Sequence, residues 1–360
     1  MYLKDLRLFH FKNFDEKNFT FSEKINCFTG NNGVGKTNAM DAVYYLSLTK
    51  SYLNHSDINN IRFGEEFFSL QGTFTDEARQ DNILLIVQSG QKKILKRNNK
   101  PYDRLSDHIG KYPCVMISPY DQNLIAEGSE FRRKFIDGMI SQINSNYLHH
   151  LIRYQKALAQ RNILLKMFLT QHSFDPVSLE MYDRELIRNG KKIFDFRREF
   201  IKNYLPKFHK HYALISQGAE RVDIQYVSDL NEADFLQILK NSLEKDRLAA
   251  YTTKGIHKDD LIFTLSDYPI KKFGSQGQQK SFLIALKLAQ MQIIKEHSQK
   301  NPILLMDDIF DKLDELRVAQ LVKLVHQEDF GQIFLSDTHG ERTRNIVKQI
   351  SNDYSIFDLP

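Results

Sequence analysis

The hydrophobic positions in the first third of the chain follow the pattern of short strands separated by polar turns. Leu6 and Leu8 flank a charged residue near the start. Further apolar runs bounded by Gly, Asn or Asp turn residues occupy residues 25–28, 67–74, 83–87 and 115–118. Met40, Val43 and Tyr44 instead recur at helical spacing, which predicts a helix over Lys36–Leu48. This stretch therefore predicts a mixed sheet with one helix after an early strand.

The middle of the chain changes to a helical pattern, and strands return near the end. Between residues 129 and 245, apolar positions such as Leu151, Tyr154 and Leu158 recur at three- and four-residue intervals. Pro176 and Pro206 are expected to punctuate these helices. Strands are then predicted at 261–265, 303–306 and 332–336, and helices at 278–295 and 315–326. We predict one sheet-containing unit formed by residues 1–118 and 248–360, with an α-rich insertion over 119–247.

Composition and charge narrow the class of protein without identifying it. Hydrophobic residues make up 41% of the 360 residues and charged residues 26%, which is typical of a globular chain. The net charge of +5 permits a polyanionic partner but does not require one. Two cysteines are too few for a disulfide framework. Apolar runs of about five residues are far below the ~20 that a membrane span needs, so we predict a cytoplasmic protein with no membrane partner.

The strongest chemical signal is a glycine-rich segment with the spacing G-x-x-x-x-G-K-T, placed after a predicted strand and at the start of a helix. Such a loop curls its N–H groups around phosphates, and the helix N-terminus adds partial positive charge. Lys36 is expected to reach the β- and γ-phosphates and act in catalysis, and Thr37 to bind Mg²⁺. The predicted nucleotide contacts are Gly30, Asn31, Asn32, Gly33, Val34, Gly35, Lys36, Thr37 and Asn38.

A pair of carboxylates provides the second half of a nucleotide site. The apolar strand predicted over Ile303–Met306 ends in Asp307 and Asp308. Asp307 is the expected second Mg²⁺ ligand, as in other phosphate-loop enzymes. Asp308 is expected to face the other side of the strand end and to polarise the attacking water as general base. The sequence therefore predicts ATP and Mg²⁺ as cofactors.

A second segment places small and polar residues at a helix start. Ser275, Gln276, Gly277 and Gln278 open the predicted helix 278–295, and a helix N-terminus of this kind attracts phosphate. The alternative interpretation is a simple helix cap at Ser275. The position of this segment, about 30 residues before the two aspartates, favours the phosphate-binding interpretation.

The order of these segments resembles the ABC-type ATPase heads of the SMC and Rad50 group, and within that group the RecF family of bacterial recombination-repair proteins. The resemblance extends over nearly the whole chain. It is carried by residues 11–14, 30–37, 118–121, 128, 132–137, 160–162, 255–261 and 275–280. It implies an α/β fold: a P-loop ABC-type ATPase head with a mixed sheet, and an inserted α-rich second lobe.

The resemblance also implies a mechanism in which two copies of the chain enclose two ATP molecules. Ser275 and Gly277 of one copy would then contact the γ-phosphate bound by the other, so that ATP holds an ATP-dependent homodimer together. Asp311 and Asp314 would help to couple the two sites. Lys12 would touch a nucleotide phosphate, Gln122 would link the lobes, and His339 would sense the γ-phosphate.

Two departures from the family pattern affect the expected chemistry. Asp308 stands where many ABC transporters carry Glu, although the family that the chain resembles does use Asp. The shorter reach of Asp predicts slow turnover that suits a timer. Asp311 and Lys312 stand where the family pattern usually has Ser or Ala followed by Glu, which leaves the role of Asp311 open.

The resemblance implies DNA as a partner, both single-stranded and duplex, bound at gaps or junctions without sequence preference. It further implies mediator proteins of the RecR and RecO type and a RecA-type recombinase. Three basic clusters are candidates for phosphate contacts, although interspersed acidic residues also allow each to be a solvated face. Arg132, Arg133 and Asp137 equally fit an internal ion-pair network. The basic clusters are Lys92, Lys93, Lys96, Arg97 and Lys100; Arg132, Arg133 and Lys134; and Lys191, Lys192, Arg197 and Arg198.

Other phosphate-loop proteins remain as alternatives. A small-molecule or nucleotide kinase would use the same loop, but it has no need for the long helical insertion or the segment at residues 275–278. A GTPase is disfavoured because residues 99–102 read Asn-Lys-Pro-Tyr and lack the aspartate of a guanine-binding N-K-x-D motif. A transporter ATPase subunit would need a membrane partner that nothing in the chain indicates.

Overall fold

The computed structural model describes residues 1–54, 56–76, 79–218, 220–308 and 331–360. The chain divides into two compact units. The first unit contains residues 1–122, 211–218 and 276–360, and the second contains 123–210 and 219–275. The predicted helix at 315–326 and the predicted site residues Asp311 and Asp314 lie outside the described residues.

Fourteen strands and nine α-helices are formed by the described residues. The strands are β1 (Tyr2–Phe11), β2 (Phe14–Thr20), β3 (Ile25–Thr29), β4 (Phe67–Asp76), β5 (Arg79–Gln88), β6 (Ile94–Arg97), β7 (Lys100–Pro101), β8 (Cys114–Ile117), β9 (Val222–Val227), β10 (Asp260–Leu265), β11 (Tyr268–Pro269), β12 (Ile303–Met306), β13 (Ile333–Asp337) and β14 (Tyr354–Asp358). The helices are α1 (Lys36–Leu48), α2 (Asn123–Ala126), α3 (Ser129–Ile143), α4 (Ser145–Thr170), α5 (Pro176–Ser216), α6 (Phe235–Ala249), α7 (Ile270–Phe273), α8 (Gln276–Ser298) and α9 (Gly340–Ile350).

In the first unit, helix α1 packs against two sheets. An antiparallel sheet has the order β2-β1-β4-β5-β6-β7, and a parallel sheet has the order β14-β3-β13-β12-β8. Helix α1 contacts strands of both sheets, so nearly all of its apolar side chains are buried. Its predicted bounds of 36–48 are confirmed. Together the sheets and α1 form the α/β head expected from the sequence.

The parallel sheet brings the ends of four strands to one edge. Every residue of β3, β8, β12 and β13 is buried, as expected for parallel strands covered on both faces. Because these strands run in the same direction, the segments that follow them lie at the carboxyl edge of the sheet. That edge is where open α/β sheets bind ligands. The phosphate loop follows β3, and Asp307 follows β12.

The second unit is mainly helical but contains its own antiparallel sheet, ordered β11-β10-β9. Strand β9 lies within the stretch for which only helices were predicted. Its alternation of buried Val222 and Ile224 with exposed Asp223 carried a two-residue period that the longer helical pattern concealed. Because β10 pairs with β9 along its length, residues 248–275 belong to the second unit. The predicted boundary near residue 248 thus falls inside that unit.

Pro206 was expected to interrupt the helical stretch, but it lies inside the 41-residue helix α5. A proline in a helix interior costs about 3 kcal/mol because it removes a hydrogen bond and crowds the preceding turn. Tyr204 and Phe208, which flank it, are buried. Burial of large aromatic side chains contributes about 1.5–3 kcal/mol each, which is enough to offset that cost.

Two arginines are buried in the second unit and are each bound by two carboxylates. Arg161 is completely buried and contacts Asp183 and Asp246. The Arg197 guanidinium lies 2.8 Å from Asp137 Oδ1 and 2.7 Å from Asp259 Oδ2, and it also donates to the carbonyl of Ile256. Among the described residues, no helix is long and apolar enough to span a membrane.

Two histidines, His108 in the first unit and His257 in the second, should make the folded chain sensitive to mild acid. Burial lowers the pKa of His108 to about 4, and it has the same effect on His257. Nε2 of His108 lies 2.9 Å from the Leu46 carbonyl, and Nε2 of His257 lies 3.0 Å from that of Thr252. Both rings therefore stay neutral and donate a hydrogen bond in the folded chain.

We expect the free energy of unfolding to fall as the pH drops from about 6.5 towards 4, because in this range the two histidines bind protons in the unfolded chain but not in the folded chain. Each histidine contributes a slope of roughly 1.4 kcal/mol per pH unit within this window. Urea unfolding of the wild type and of His108→Gln at pH 6.5 and 5 tests this. The free energy of unfolding of the variant should depend less steeply on pH, by the contribution of one histidine. An equally steep dependence in the variant and the wild type would contradict the expectation.

Candidate nucleotide site

The phosphate loop between β3 and α1 has a backbone that glycine permits. Gly30, Gly33 and Gly35 have φ angles of 137°, 88° and 111°, in a region that other residues rarely adopt. A Cβ on Gly30 would lie 2.4 Å from the carbonyl oxygen of Leu359, and one on Gly35 would lie 2.5 Å from Asn13 Nδ2. Glycine is needed in this loop because it tolerates positive φ angles and, at Gly30 and Gly35, because a Cβ would collide with neighbouring atoms.

Lys36 begins α1 and folds its side chain back over the loop. Its Nζ lies 2.6 Å from the carbonyl oxygen of Gly30 and 2.7 Å from that of Asn31. The side chain is mostly buried. Its ammonium charge is therefore positioned within the curl of the loop, where phosphate-binding loops use a lysine.

Thr37 and Asp307 come together although they follow strands that are not neighbours. The Thr37 hydroxyl lies 3.0 Å from both carboxylate oxygens of Asp307. Strand β13 separates β3 from β12, and Ser336 of β13 donates a 2.6 Å hydrogen bond to Asp307 Oδ1. Ser336 was not among the predicted site residues. A lone serine in the apolar strand Ile333–Asp337 was the only signal for it.

The carboxyl group of Asp307 is costly to ionise. It is buried, and burial raises its pKa above the usual value, while hydrogen bonds from Ser336 and Thr37 act in the opposite direction. The negative charge of Asp308 raises it further, and the charge of Lys36 lowers it. A cation bound beside Asp307 would favour its charged form.

Asp308 adopts a backbone conformation that is unusual for a residue with a side chain. Its φ angle is 48°, in the left-handed region, and its N–H donates a 3.0 Å hydrogen bond to the Ser336 hydroxyl. Aspartate is one of the residues that tolerate this region, and such conformations concentrate at functional sites. The conformation turns the chain sharply directly after Asp307.

The segment after β13 adds His339 to the same edge of the sheet. His339 is exposed and immediately precedes α9, and its N–H donates to Asp337 Oδ1 at 3.1 Å. Asp337 is almost fully buried and is also bound by Arg342 and the Thr343 hydroxyl. The start of α9 is therefore firmly held, while the His339 side chain faces solvent.

Lys12 binds a carboxylate of α1. Its Nζ lies 2.6 Å from Asp41 Oδ2, and Asp41 is completely buried. Asp41 also accepts hydrogen bonds from the Ser51 hydroxyl and the Tyr52 N–H, both at 2.6 Å. The predicted contact of Lys12 with a nucleotide phosphate stays a prediction, and the structure assigns its ammonium to this ion pair.

Asn13 is a second residue that the sequence analysis did not place in the site. Its Nδ2 donates to the Val34 carbonyl at 3.0 Å, and its Oδ1 accepts from Asn38 Nδ2 at 2.7 Å. Arg62 in turn donates to the Asn13 carbonyl at 2.7 Å. Asn13 thus joins the end of the phosphate loop to the first turn of α1. Its position next to Lys12 in the segment 11–14 was the available signal.

Gln122 and a buried ion pair connect the end of β8 to helix α8. Nε2 of Gln122 donates a 2.6 Å hydrogen bond to Gln279 Oε1. Close by in the chain, Asp121 Oδ1 lies 2.7 Å from Lys287 Nζ, and both side chains are buried. Tyr52 donates a hydrogen bond to Asp121, so the segment following α1 joins the same network. These contacts lie within the first unit and bind α8 to the nucleotide-site elements.

The segment predicted to face the second nucleotide lies at the start of α8. The helix begins at Gln276, with Ser275 immediately before it, and both residues are exposed. The predicted contacts of Ser275, Gly277 and Gln278 are made across two copies of the chain, and a single chain does not test them. Asp311, predicted to couple the two sites, lies outside the described residues.

Several of the basic residues considered for DNA contacts are bound internally. Arg132 pairs with Asp260, its Nε lying 2.7 Å from Oδ1, and Arg133 donates to the Asp259 carbonyl at 2.7 Å. Arg197 is buried as described above. In the first unit, Arg97 pairs with Asp81 and Lys93 with Asp57. Arg132 thus makes an internal ion pair, which was one of its two interpretations, and Arg133 forms internal hydrogen bonds.

Comparison with known proteins agrees with this geometry. Residues 2–355 match the family model described as RecF/RecN/SMC N terminal domain. The chain is 54% identical over 359 residues to the DNA replication and repair protein RecF of Flavobacterium johnsoniae, and the match covers 100% of both chains.

Solved structures lead to the same group. A structure described as the recombination mediator protein RecF-ATP in the RecFOR pathway is 28% identical, with a TM-score of 0.86, and the match covers 94% of this chain and 92% of that one. The Smc head domain of Pyrococcus furiosus has a TM-score of 0.55 at 16% identity, covering 100% and 94%. The latter likeness concerns the fold alone. The family model and the RecF-ATP structure, taken with it, confirm the predicted fold of an ABC-type ATPase head.

Proposed function

Because the chain belongs to the RecF family of DNA replication and repair proteins, we propose that it is an ATP-dependent DNA-binding protein of recombinational repair. In this proposal two copies close around two ATP molecules on single-strand gaps or junctions between single-stranded and duplex DNA. Slow hydrolysis then times their release. The dimer would support loading of a RecA-type recombinase together with mediators of the RecR and RecO type.

One observation carries the ATP-dependent part of the proposal. Three strands converge so that Thr37, Asp307 and Ser336 form one hydrogen-bonded group directly beneath the phosphate loop. The loop supplies N–H groups and the Lys36 charge for phosphates. The Thr37 hydroxyl and the Asp307 carboxylate supply hard oxygen ligands, which Mg²⁺ prefers.

The residues present therefore fit a magnesium ion bound together with ATP. Thr37 and Asp307 would hold the ion, which would neutralise charge on the phosphates. Ser336 orients Asp307 through the 2.6 Å hydrogen bond to Oδ1. Asp308 would accept a proton from the attacking water, and Lys36 would stabilise negative charge on the phosphate oxygens.

The dimer in the proposal explains why one chain carries only part of the chemistry. The phosphate loop and Asp307 follow strands of the parallel sheet, whereas Ser275 and Gly277 lie at the N-terminus of α8. The family match over residues 2–355 also disfavours the kinase alternative, because it extends far beyond the phosphate loop.

Light scattering with an Asp308→Asn variant tests the proposal. The substitution should preserve nucleotide and Mg²⁺ binding while slowing hydrolysis. We expect a dimer with ATP and Mg²⁺ and a monomer with ADP.

Ser275→Arg in the same background should abolish the ATP-dependent dimer by placing bulk and charge at the start of α8. Nucleotide binding by that double variant should remain, which a fluorescent ATP analogue can measure. A mass that does not respond to nucleotide would refute the ATP-driven dimer.

A further inference from the structure

The solvent-facing side of α5 carries a row of cations that the linear sequence conceals. Arg184, Arg188, Lys191, Arg198 and Lys202 follow one another at spacings of four, three, seven and four residues. At 3.6 residues per turn these spacings place all five on one face of the helix. We call these five residues the α5 basic stripe. It extends about 27 Å along the helix axis, at 1.5 Å per residue.

The packing of α5 holds the stripe on a rigid support. Ile193, Arg197, Ile201 and Tyr204 are buried on the opposite face. By contrast, the side chain of Arg198, one position after Arg197, is 65% exposed. Neighbouring residues on a helix point about 100° apart, so one arginine serves the core and the next faces solvent.

Acidic neighbours do not cancel the stripe. Its three arginines lie 2.7–3.9 Å from Glu180, Glu185 and Asp195. These pairs are exposed, and exposed pairs contribute only about 0–1 kcal/mol, so phosphate groups can replace the carboxylates at little cost. Within the described part of the chain, no carboxylate forms a salt bridge with Lys191 or Lys202.

The charge of the whole chain is concentrated in the same region. Residues 145–216, which contain α4 and α5, hold 13 Lys and Arg against 6 Asp and Glu. The other residues of the chain hold 37 against 39. The net charge of +5 thus arises entirely from this helical region, and the partner that fits it is a polyanion.

We propose that the α5 basic stripe binds the phosphate backbone of duplex DNA, an inference that rests on the proposed function. Duplex DNA carries a negative charge about every 1.7 Å, so a stripe of about 27 Å faces roughly eight base pairs. Arginine and lysine in such a row contact phosphates and do not read base edges, which accounts for binding without sequence preference.

The test measures binding of a 30-base-pair duplex by fluorescence anisotropy over a range of salt concentrations. A triple variant combines Lys191→Gln, Arg198→Gln and Lys202→Gln. The matched control combines Lys92→Gln, Lys96→Gln and Lys100→Gln, which removes the same charge from the competing cluster in the first unit. Circular dichroism and ATP-dependent dimerisation establish that both variants are folded and bind nucleotide.

We expect the stripe variant to bind the duplex roughly 10- to 100-fold more weakly near physiological salt, with a salt slope lower by about two to three. The control should bind like the wild type. Equal binding by the stripe variant and the wild type would overturn the stripe while leaving the proposed function intact. Loss of binding only in the control would assign DNA to residues 92–100 instead. A wild-type chain that binds no duplex under any condition would overturn both proposals.

Discussion

Replacing Lys36 with alanine is expected to reduce ATP turnover by at least about 100-fold, the usual loss when a preorganised charge is removed from a transition state. The ammonium lies within the curl of the phosphate loop, held by the carbonyls of Gly30 and Asn31. Alanine leaves the loop backbone in place but removes its positive charge. Steady-state phosphate release, measured at saturating ATP, gives the effect directly.

Lys12→Ala is the informative comparison, because Lys12 binds Asp41 of α1, the helix that also carries Lys36. Its removal leaves Asp41 buried without its cation, and breaking a buried pair in this way typically costs about 3–5 kcal/mol. We therefore expect Lys12→Ala to act mainly on thermal stability, and Lys36→Ala mainly on turnover. Near wild-type turnover by Lys36→Ala would contradict the assignment of the phosphate loop.

Replacing Arg197 with alanine is expected to destabilise the second unit by about 3–5 kcal/mol. Arg197 is almost fully buried and binds Asp137 and Asp259. Without it, the buried Asp259 and the partly buried Asp137 lose the guanidinium that binds them both. Burial already raises the pKa of Asp259, and the Arg197 charge lowers it. The loss should therefore be smaller in mild acid, where Asp259 can take up a proton.

Arg198→Ala is the matched control one residue further along. Surface substitutions of this kind change stability by no more than about 0.5 kcal/mol. Urea unfolding of both variants at pH 7.5 measures the difference, and similar losses in both would contradict the assigned burial. Arg198→Ala should weaken duplex binding more than Arg197→Ala does, since Arg198 belongs to the α5 basic stripe and Arg197 does not. The pair thus separates folding from DNA binding within two consecutive residues.

The fold class could be predicted from the sequence because the informative patterns are local. The bounds of α1 and β12 were predicted as observed, since each combines a clear apolar pattern with a motif at one end. Strand β9 was missed because its six residues lie among long helical patterns. The continuation of α5 through Pro206 was also missed, because burial of its apolar face outweighs a local propensity.

The phosphate loop, the position of Asp307 and Asp308 after a buried strand, and the family could all be predicted from the amino-acid sequence. These depend on residue type and spacing over short distances, which a chain displays directly. The contact by which Ser336 orients Asp307 could be found only in the folded chain, because it requires β13 to lie between β3 and β12. Strand order is set by packing over the whole unit and leaves no local trace.

The same physical reason separates the two arginines of α5. Arg197 and Arg198 are adjacent and chemically identical, and the sequence analysis placed both in one basic cluster. Packing against Asp137 and Asp259 buries the first, and the helical turn of about 100° per residue exposes the second. Local sequence predicts the helix, but only the packed structure determines which face of it meets the core and which remains available to a partner.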